Sequence, residues 1–373
     1  MEKILNDICK KYIRLNQSEV EANNVILTNF LDEFIPAMRE ADDLFNQLYT
    51  ELYYGGSYYD GLKITKPNEY DLDLKLVIPK HINSQVRVDE KRPGYVQITF
   101  FNPYNRYLAA TDKPTRVSNT SRPKKLRFRD LFSLVDRDRY LNTPRVLNWM
   151  KSVVQNTING YSAATFGKDS VRVRMTNGGP AITLSLTGST IDDEISLDLV
   201  PCFVLPQSQW PGAPFRRNNV PHKTNFFAVS KPLKEPHTDR YCRLSFQEQE
   251  GQLIKGKAFL KPAVKLLKRI RDKYNHPIPS YYIKTVALWM VDEKDKAFWS
   301  SSLTDVFTEM LRRYNRYLKD KLLPYYWNPA NDLFQDVNDV TLDNIYHLNQ
   351  RLLNTMDKSP WNIEKFFGEN WYD

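Results

Sequence analysis

Glu69, Asp71 and Asp73 alternate with Tyr70, Leu72 and Leu74 in the stretch "NEYDLDLKLVIP". Side chains two apart on a strand point the same way, so this spacing predicts three carboxylates on one face and apolar groups on the other. Like charges so close repel, and aspartate is a poor strand former, so the arrangement is costly unless cations offset it. Magnesium suits that role, being a hard ion that takes carboxylate oxygens together with substrate phosphates. Upstream lies the turn Gly55-Gly56-Ser57. Glycines let a ligand come close to the backbone, and the amides with the Ser57 hydroxyl can donate to a triphosphate. Downstream, "EISLDLVP" sets Ser196, Asp198 and Val200 on the face opposite Ile195, Leu197 and Leu199, so Asp198 can join the others from a neighbouring strand. Two metals about 3.5–4 Å apart need such a shared set of ligands. A plainer reading stays open: an edge strand charged against aggregation, and a solvent-facing aspartate on a half-buried strand.

Elements must hold these residues in place. Residues 18–39 predict one long helix, with Ser18 and Glu21 in capping-box spacing and Val25, Phe30, Leu31 and Phe34 at mostly helical intervals. "DLDLKLVI", "GYVQITFF", "VRVRM" and "AITLSLTGSTIDDEISLDLV" read as strands, and "RDLFSLVDRDRYLNTPRVLNWMKSVVQNTI" mainly as helices broken near Pro144. Prolines recur from Pro201 to Pro236, which predicts an irregular crossing segment without central strands. Beyond it the pattern is helical. Leu260, Val264, Leu267 and Ile270 share one helix face, and Leu303, Val306, Met310, Tyr314 and Leu318 another. A mixed α/β lobe followed by a helical lobe, with the binding cleft between them, is the simplest architecture.

The chain has 373 residues, 41% of them hydrophobic and 13% aromatic, enough for a sizeable core. Lys and Arg number 53 against 44 Asp and Glu, a net +9 that favours polyanionic partners. Cys9, Cys202 and Cys242 lie far apart, so neither a disulfide framework nor a cysteine zinc site is indicated. No segment reads as a membrane span or a secretion signal, and a cytoplasmic location is expected. No internal repeat stands out.

Gly56-Ser57 followed by Glu69-Tyr70-Asp71-Leu72 fits the nucleotidyltransferase signature of the polymerase-β superfamily. More narrowly, "GSYYDGLKITKPNEYDLDLKLVIP" resembles the corresponding stretch of cyclic GMP-AMP synthase and the animal cyclic GMP-AMP synthase-like receptors. The short signature also fits Asp71 and Asp73 as the pair, but the family's Pro-Asn-Glu context selects Glu69 and Asp71, leaving Asp73 without an assigned role. The resemblance implies an α+β, bilobal nucleotidyltransferase. Its core lobe, with a long N-terminal spine helix, would span 1–205, and a mainly helical lobe, 206–373, would complete the nucleotide pocket. It makes Glu69, Asp71 and Asp198 the catalytic metal ligands for two Mg2+ or Mn2+ ions, with Gly56 and Ser57 at the triphosphate. "CRLSFQEQE" resembles a pocket-lining segment, giving Arg243, Ser245 and Glu250. "AVKLLKRI" gives Lys265 as the lysine that reaches the nucleotide, and "PSYYIKT" gives Ser280 for phosphate and Tyr281 for stacking on a base.

The resemblance further implies an innate immune sensor. On binding double-stranded RNA it would make a cyclic dinucleotide of the cyclic GMP-AMP type from ATP and GTP, for a downstream receptor. The vertebrate synthase carries a Cys/His zinc thumb where this chain has "QEQEGQLIKGKAF", so zinc is not expected and duplex RNA replaces DNA as the expected activator, with zinc-free insect relatives as the nearer likeness. Basic groups that could meet RNA phosphates are Lys10, Lys11 and Arg14, the cluster Arg122, Lys124, Lys125, Arg127 and Arg129, the pair Arg216 and Arg217, and Lys268, Arg269, Arg271 and Lys273. Product linkage and ligand-induced oligomerisation stay open. So do a catalytically silent or differently activated member and a linear oligonucleotide synthase of the same superfamily.

Overall fold

A computed structural model of the chain describes residues 1–368 except 65, 81, 102–130, 132, 161–164, 167–170, 177–180, 190, 192, 223 and 232–237. The helices are α1 Glu2–Tyr12, α2 Gln17–Ala41, α3 Asp43–Leu48, α4 Gly56–Tyr59, α5 Thr143–Asn159, α6 Gln247–Ile254, α7 Leu260–Lys273, α8 Ser280–Glu293, α9 Leu303–Asp320 and α10 Asp339–Lys358. The sheet strands are β1 Tyr49–Gly55, β2 Glu69–Leu76, β3 Asn83–Val88, β4 Tyr95–Phe101, β5 Thr165–Phe166, β6 Val171–Thr176, β7 Ile182–Thr187, β8 Ile195–Leu205, β9 Phe226–Val229 and β10 Tyr241–Ser245. A hairpin of β11 Pro324–Tyr325 and β12 Asn328–Asp332 stands apart. No helix among the described residues is long and apolar enough to cross a membrane.

The sheet runs β3-β4-β10-β9-β8-β7-β6-β5, with β2 along the remaining edge of β8 and β1 outside β2. β2 and β8 are parallel and in register from Glu69 opposite Ser196 to Leu76 opposite Phe203. A parallel pair cannot be joined by a hairpin, and the connection here takes in β3 to β7 and α5. The sheet continues past residue 205 through β9 and β10 before the chain becomes mainly helical.

Three expectations for local structure are corrected. β8 runs straight through Pro201, inside the segment expected to hold no central strand. The Ser196 amide donates to Asn68 O on the β2 side, so odd-numbered amides of β8 face its other edge. On that edge β7 pairs as far as Leu199 and pairing with β9 starts at Cys202, so among the described residues the missing N–H of Pro201 falls between two partner strands. Pro144 does not break a helix but starts one: α5 begins at Thr143 with Asn142 as its cap, and the described residues before it form turns and isolated bridges. The long helix is capped by Asn16, whose Oδ1 accepts from the Ser18 amide at 3.1 Å, and Val25 points to solvent.

α1 and α2 serve different halves of the molecule. On α2, Phe30 and Phe34 stack at 4.8 Å and Phe166 of β5 meets both edge-on, fixing this helix to α5 and the sheet. α1 instead buries Leu5 and Ile8 against α7, α9 and the turn Pro360–Phe366. Its Glu2 carboxylate accepts the amides of Leu303 and Thr304 at 3.1 and 2.8 Å, serving donors that the start of α9 leaves open. The apolar faces expected for α7 and α9 are buried in full.

Candidate active site

Strand pairing brings the acidic residues together. Asp71 on β2 lies directly opposite Asp198 on β8, and Glu69 opposite Ser196. Tyr70, Leu72 and Leu74, at most 2% exposed, anchor β2 in the core, which leaves Glu69 and Asp71 open to solvent on the other face. Asp73 shares that face but is 2% exposed. It accepts from the Gln247 side-chain amide at 2.9 Å, and burial pushes its carboxyl up to about 7.

The turn closes over this pair. Gly55 pairs with Asp71 across β1 and β2, and Gly56 takes φ +71. A Cβ at Gly56 would stand 1.7 Å from Asp71 Oδ2, so only glycine lets this backbone lie on the carboxylate. Asp71 is open along one side and crowded on the others. That withdrawal from water, and then the adjacent Asp198 charge, raise its pKa, while Lys63 opposes the rise. The Thr183 hydroxyl donates to Asp198 Oδ1 at 2.6 Å, and the largely buried Lys63 forms an ion pair with Glu69.

These donors suit a hard divalent cation, being all oxygen and set in register on adjacent strands. Among the described residues no three Asp, Glu, His or Cys side chains already converge on one point. Lys63 engages one oxygen of Glu69 and leaves the other open.

The remaining pocket candidates come from β10 and the helices. Arg243 and Ser245 lie on β10, opposite Val229 and Phe227 of β9. The Arg243 charge acts on Tyr281 and Tyr325, so these groups share one region. Ser280 opens α8, and the Tyr281 hydroxyl donates to Glu250 Oε1 at 2.6 Å. Lys265 lies near Lys261, Lys268 and Cys9 of α1, and burial lowers its pKa. Lys268, one turn on, is buried and donates to Leu62 O at 2.7 Å, in the loop after the glycine turn; burial lowers its pKa to about 8. Lys63, Lys268, Lys284 and Asp60 were not singled out for the site by sequence reasoning. All four lie inside the stretches quoted above, but nothing in their spacing shows that they meet.

Two domain families cover most of the chain. The Mab-21 protein nucleotidyltransferase domain matches residues 58–256, and the Mab-21 protein HhH/H2TH-like domain matches 259–351. A cyclic GMP-AMP synthase-like receptor of Tribolium castaneum is 39% identical, over 98% of this chain and 91% of its own length. The chain belongs to the cyclic GMP-AMP synthase-like receptor family. A receptor of that name from Aethina tumida is 36% identical over 92% of this chain and 85% of its own. Cyclic GMP-AMP synthase-like receptor 1 of Drosophila melanogaster is 28% identical over 97% and 94%. Glu69, Asp71 and Asp198 thus lie within a nucleotidyltransferase domain, and Gly56 and Ser57 just before its matched residues.

Among the basic groups expected to meet nucleic acid, Lys10, Lys11, Arg14 and Arg217 are exposed, Lys11 in an ion pair with Glu364 at 2.7 Å. The Arg216 guanidinium packs on the Trp289 and Tyr326 rings at 4.8 and 4.4 Å and pairs with Asp292 at 2.5 Å, so it binds the helical half together. Arg122, Lys124, Lys125, Arg127 and Arg129 lie outside the described residues.

Proposed function

We propose that this protein is a sensor that, on binding double-stranded RNA, joins ATP and GTP into a cyclic dinucleotide of the cyclic GMP-AMP type. The observation that carries the reading is the Asp71–Asp198 pair in register beneath the Gly56 turn, inside a nucleotidyltransferase domain. Two divalent cations held by Glu69, Asp71 and Asp198 would supply the positive charge that gathers the triphosphate and steadies the attacking and leaving oxygens. The chain does the rest. The Gly56–Ser57 backbone, free of a side chain at its tightest point, accepts the triphosphate from above. Asp198 stands where the attacking ribose hydroxyl is oriented and gives up its proton, and Tyr281 offers a face for a base. The hydroxyl oxygen bonds to the donor's α-phosphorus as the α–β phosphoanhydride bond breaks and pyrophosphate leaves, and a second such transfer on the bound linear dinucleotide closes the ring and releases a second pyrophosphate.

The ion pair between Lys63 and Glu69 supports a slow resting state that duplex binding relieves, and exposed Lys10, Arg14 and Arg217 offer phosphate contacts. The test is incubation of purified protein with labelled ATP and GTP in magnesium, alone, with long duplex RNA and with duplex DNA. A cyclic dinucleotide that appears with duplex RNA supports the reading. Linear oligomers, or no product with any ligand, overturn it. Asp71→Asn is expected to slow turnover about 10³-fold, the equivalent of roughly 4 kcal/mol, with its fold intact by circular dichroism.

A further inference from the structure

Glu250, expected to line the nucleotide pocket, is 3% exposed, and protein donors already occupy both of its oxygens. Oε1 accepts from the Tyr281 hydroxyl at 2.6 Å and from the Trp327 indole N–H at 3.1 Å, while Oε2 lies 2.7 Å from the Lys284 ammonium. Lys284 is 8% exposed, and its second partner is Asp60 at 2.5 Å. Asp60 closes the turn that begins at Gly56, its amide donating back to Gly56 O at 3.2 Å. A continuous path of charged hydrogen bonds therefore runs Tyr281, Glu250, Lys284, Asp60, across α8, α6 and the glycine turn.

One buried ammonium serves two carboxylates, so moving any member strands a charge in a dry region. The two acids hold Lys284 protonated against its burial. A carboxylate with three donors has little capacity left for a base amino group, which makes Glu250 a support for Tyr281 more than a direct reader of the base.

We infer that Lys284 and Glu250 are positioning residues that couple the two ends of the nucleotide pocket, the base end through Tyr281 and the triphosphate end through the turn Gly56–Asp60. The inference rests on the functional reading above. Ordering the turn around a triphosphate fixes Asp60, and Asp60 fixes the tyrosine ring through two intervening side chains. A base stacked on Tyr281 steadies the turn by the same route.

The test measures equilibrium binding of a non-hydrolysable ATP analogue in magnesium to the full chain, as wild type, Asp60→Asn, Tyr281→Phe and the double variant, with thermal unfolding alongside. Independent ends would give changes in Kd that multiply. The expected result is a departure from that product of at least about 3-fold, lost when Lys284→Met is added to each protein. Should Lys284→Met fail to fold, Lys284→Arg, which keeps the charge but moves it, is read the same way. Effects that multiply in both backgrounds, with nucleotide still bound, overturn the inference alone. A wild-type chain that binds no nucleotide overturns the functional reading and this inference together.

Discussion

At the scale of single residues, the site depends on close approach as much as on charge. Gly56→Ala adds a methyl group where Asp71 Oδ2 and Cβ already stand, at a φ that side chains avoid. It is expected to cost about 1–2 kcal/mol in urea unfolding and to abolish pyrophosphate release by turning Asp71 aside. His276 gives a pH test away from the carboxylates. Burial, and then the Arg271 charge, depress its pKa from 6.5 to about 4. The unfolded chain takes up this proton first, so the histidine's contribution to stability is present above pH 6.5 and is lost as pH falls towards 4. Urea midpoints of wild type and His276→Asn should converge over that window, and parallel pH profiles would refute the assignment. That Asp71 lies on the face opposite Leu72 in its strand, and Asp198 on the face opposite Leu199 in its own, was legible in the sequence, because strand alternation is a local rule; that the two strands pair was not. That Lys268 turns to the loop was not, since it lies on one basic helix with Lys265 and Arg269 and only its partner tells it apart. The burial of Asp73 was hidden for the same reason, because the Gln247 that covers it arrives from a distant helix.

At the scale of elements, helix ends show where local reading succeeds and where it slips. The start of α2 was found to within two residues, but Ser18 and Asn16 both suit a cap and only Asn16 faces the open amide. Asn16→Ala should therefore lower stability by about 1 kcal/mol, and Ser18→Ala by clearly less, in paired urea titrations. The cap that Glu2 gives to α9 comes from the far end of the chain and left no sequence signal. The apolar faces of α7 and α9 were legible because an amphipathic helix carries its burial in its own spacing. Pro201 misled for a clear reason: the rule against proline in central strands concerns a donor, and in β8 that donor falls in a gap between two partner strands.

At the scale of the whole molecule, the sheet and the helical half are stitched at several points. α1 grips the helical half and α2 the sheet, Lys268 reaches the glycine loop, and the Asp60–Lys284–Glu250 cluster spans both. Unfolding is expected as one transition, with coincident midpoints by tryptophan fluorescence and far-ultraviolet circular dichroism. Two separated midpoints would show halves that melt alone. The division into a sheet-bearing part and a helical part was legible from residue patterning, whereas the stitching was not, because it depends on pairs remote in sequence. The parallel union of β2 and β8 adds a matter of timing. Asp71 leaves the ribosome well before Asp198, and a contact so distant along the chain forms slowly. Until then each acid remains hydrated and apart from the other, so a nascent or half-folded chain carries no assembled nucleotide chemistry. The nucleotidyltransferase site is thereby withheld from every copy that has not finished folding.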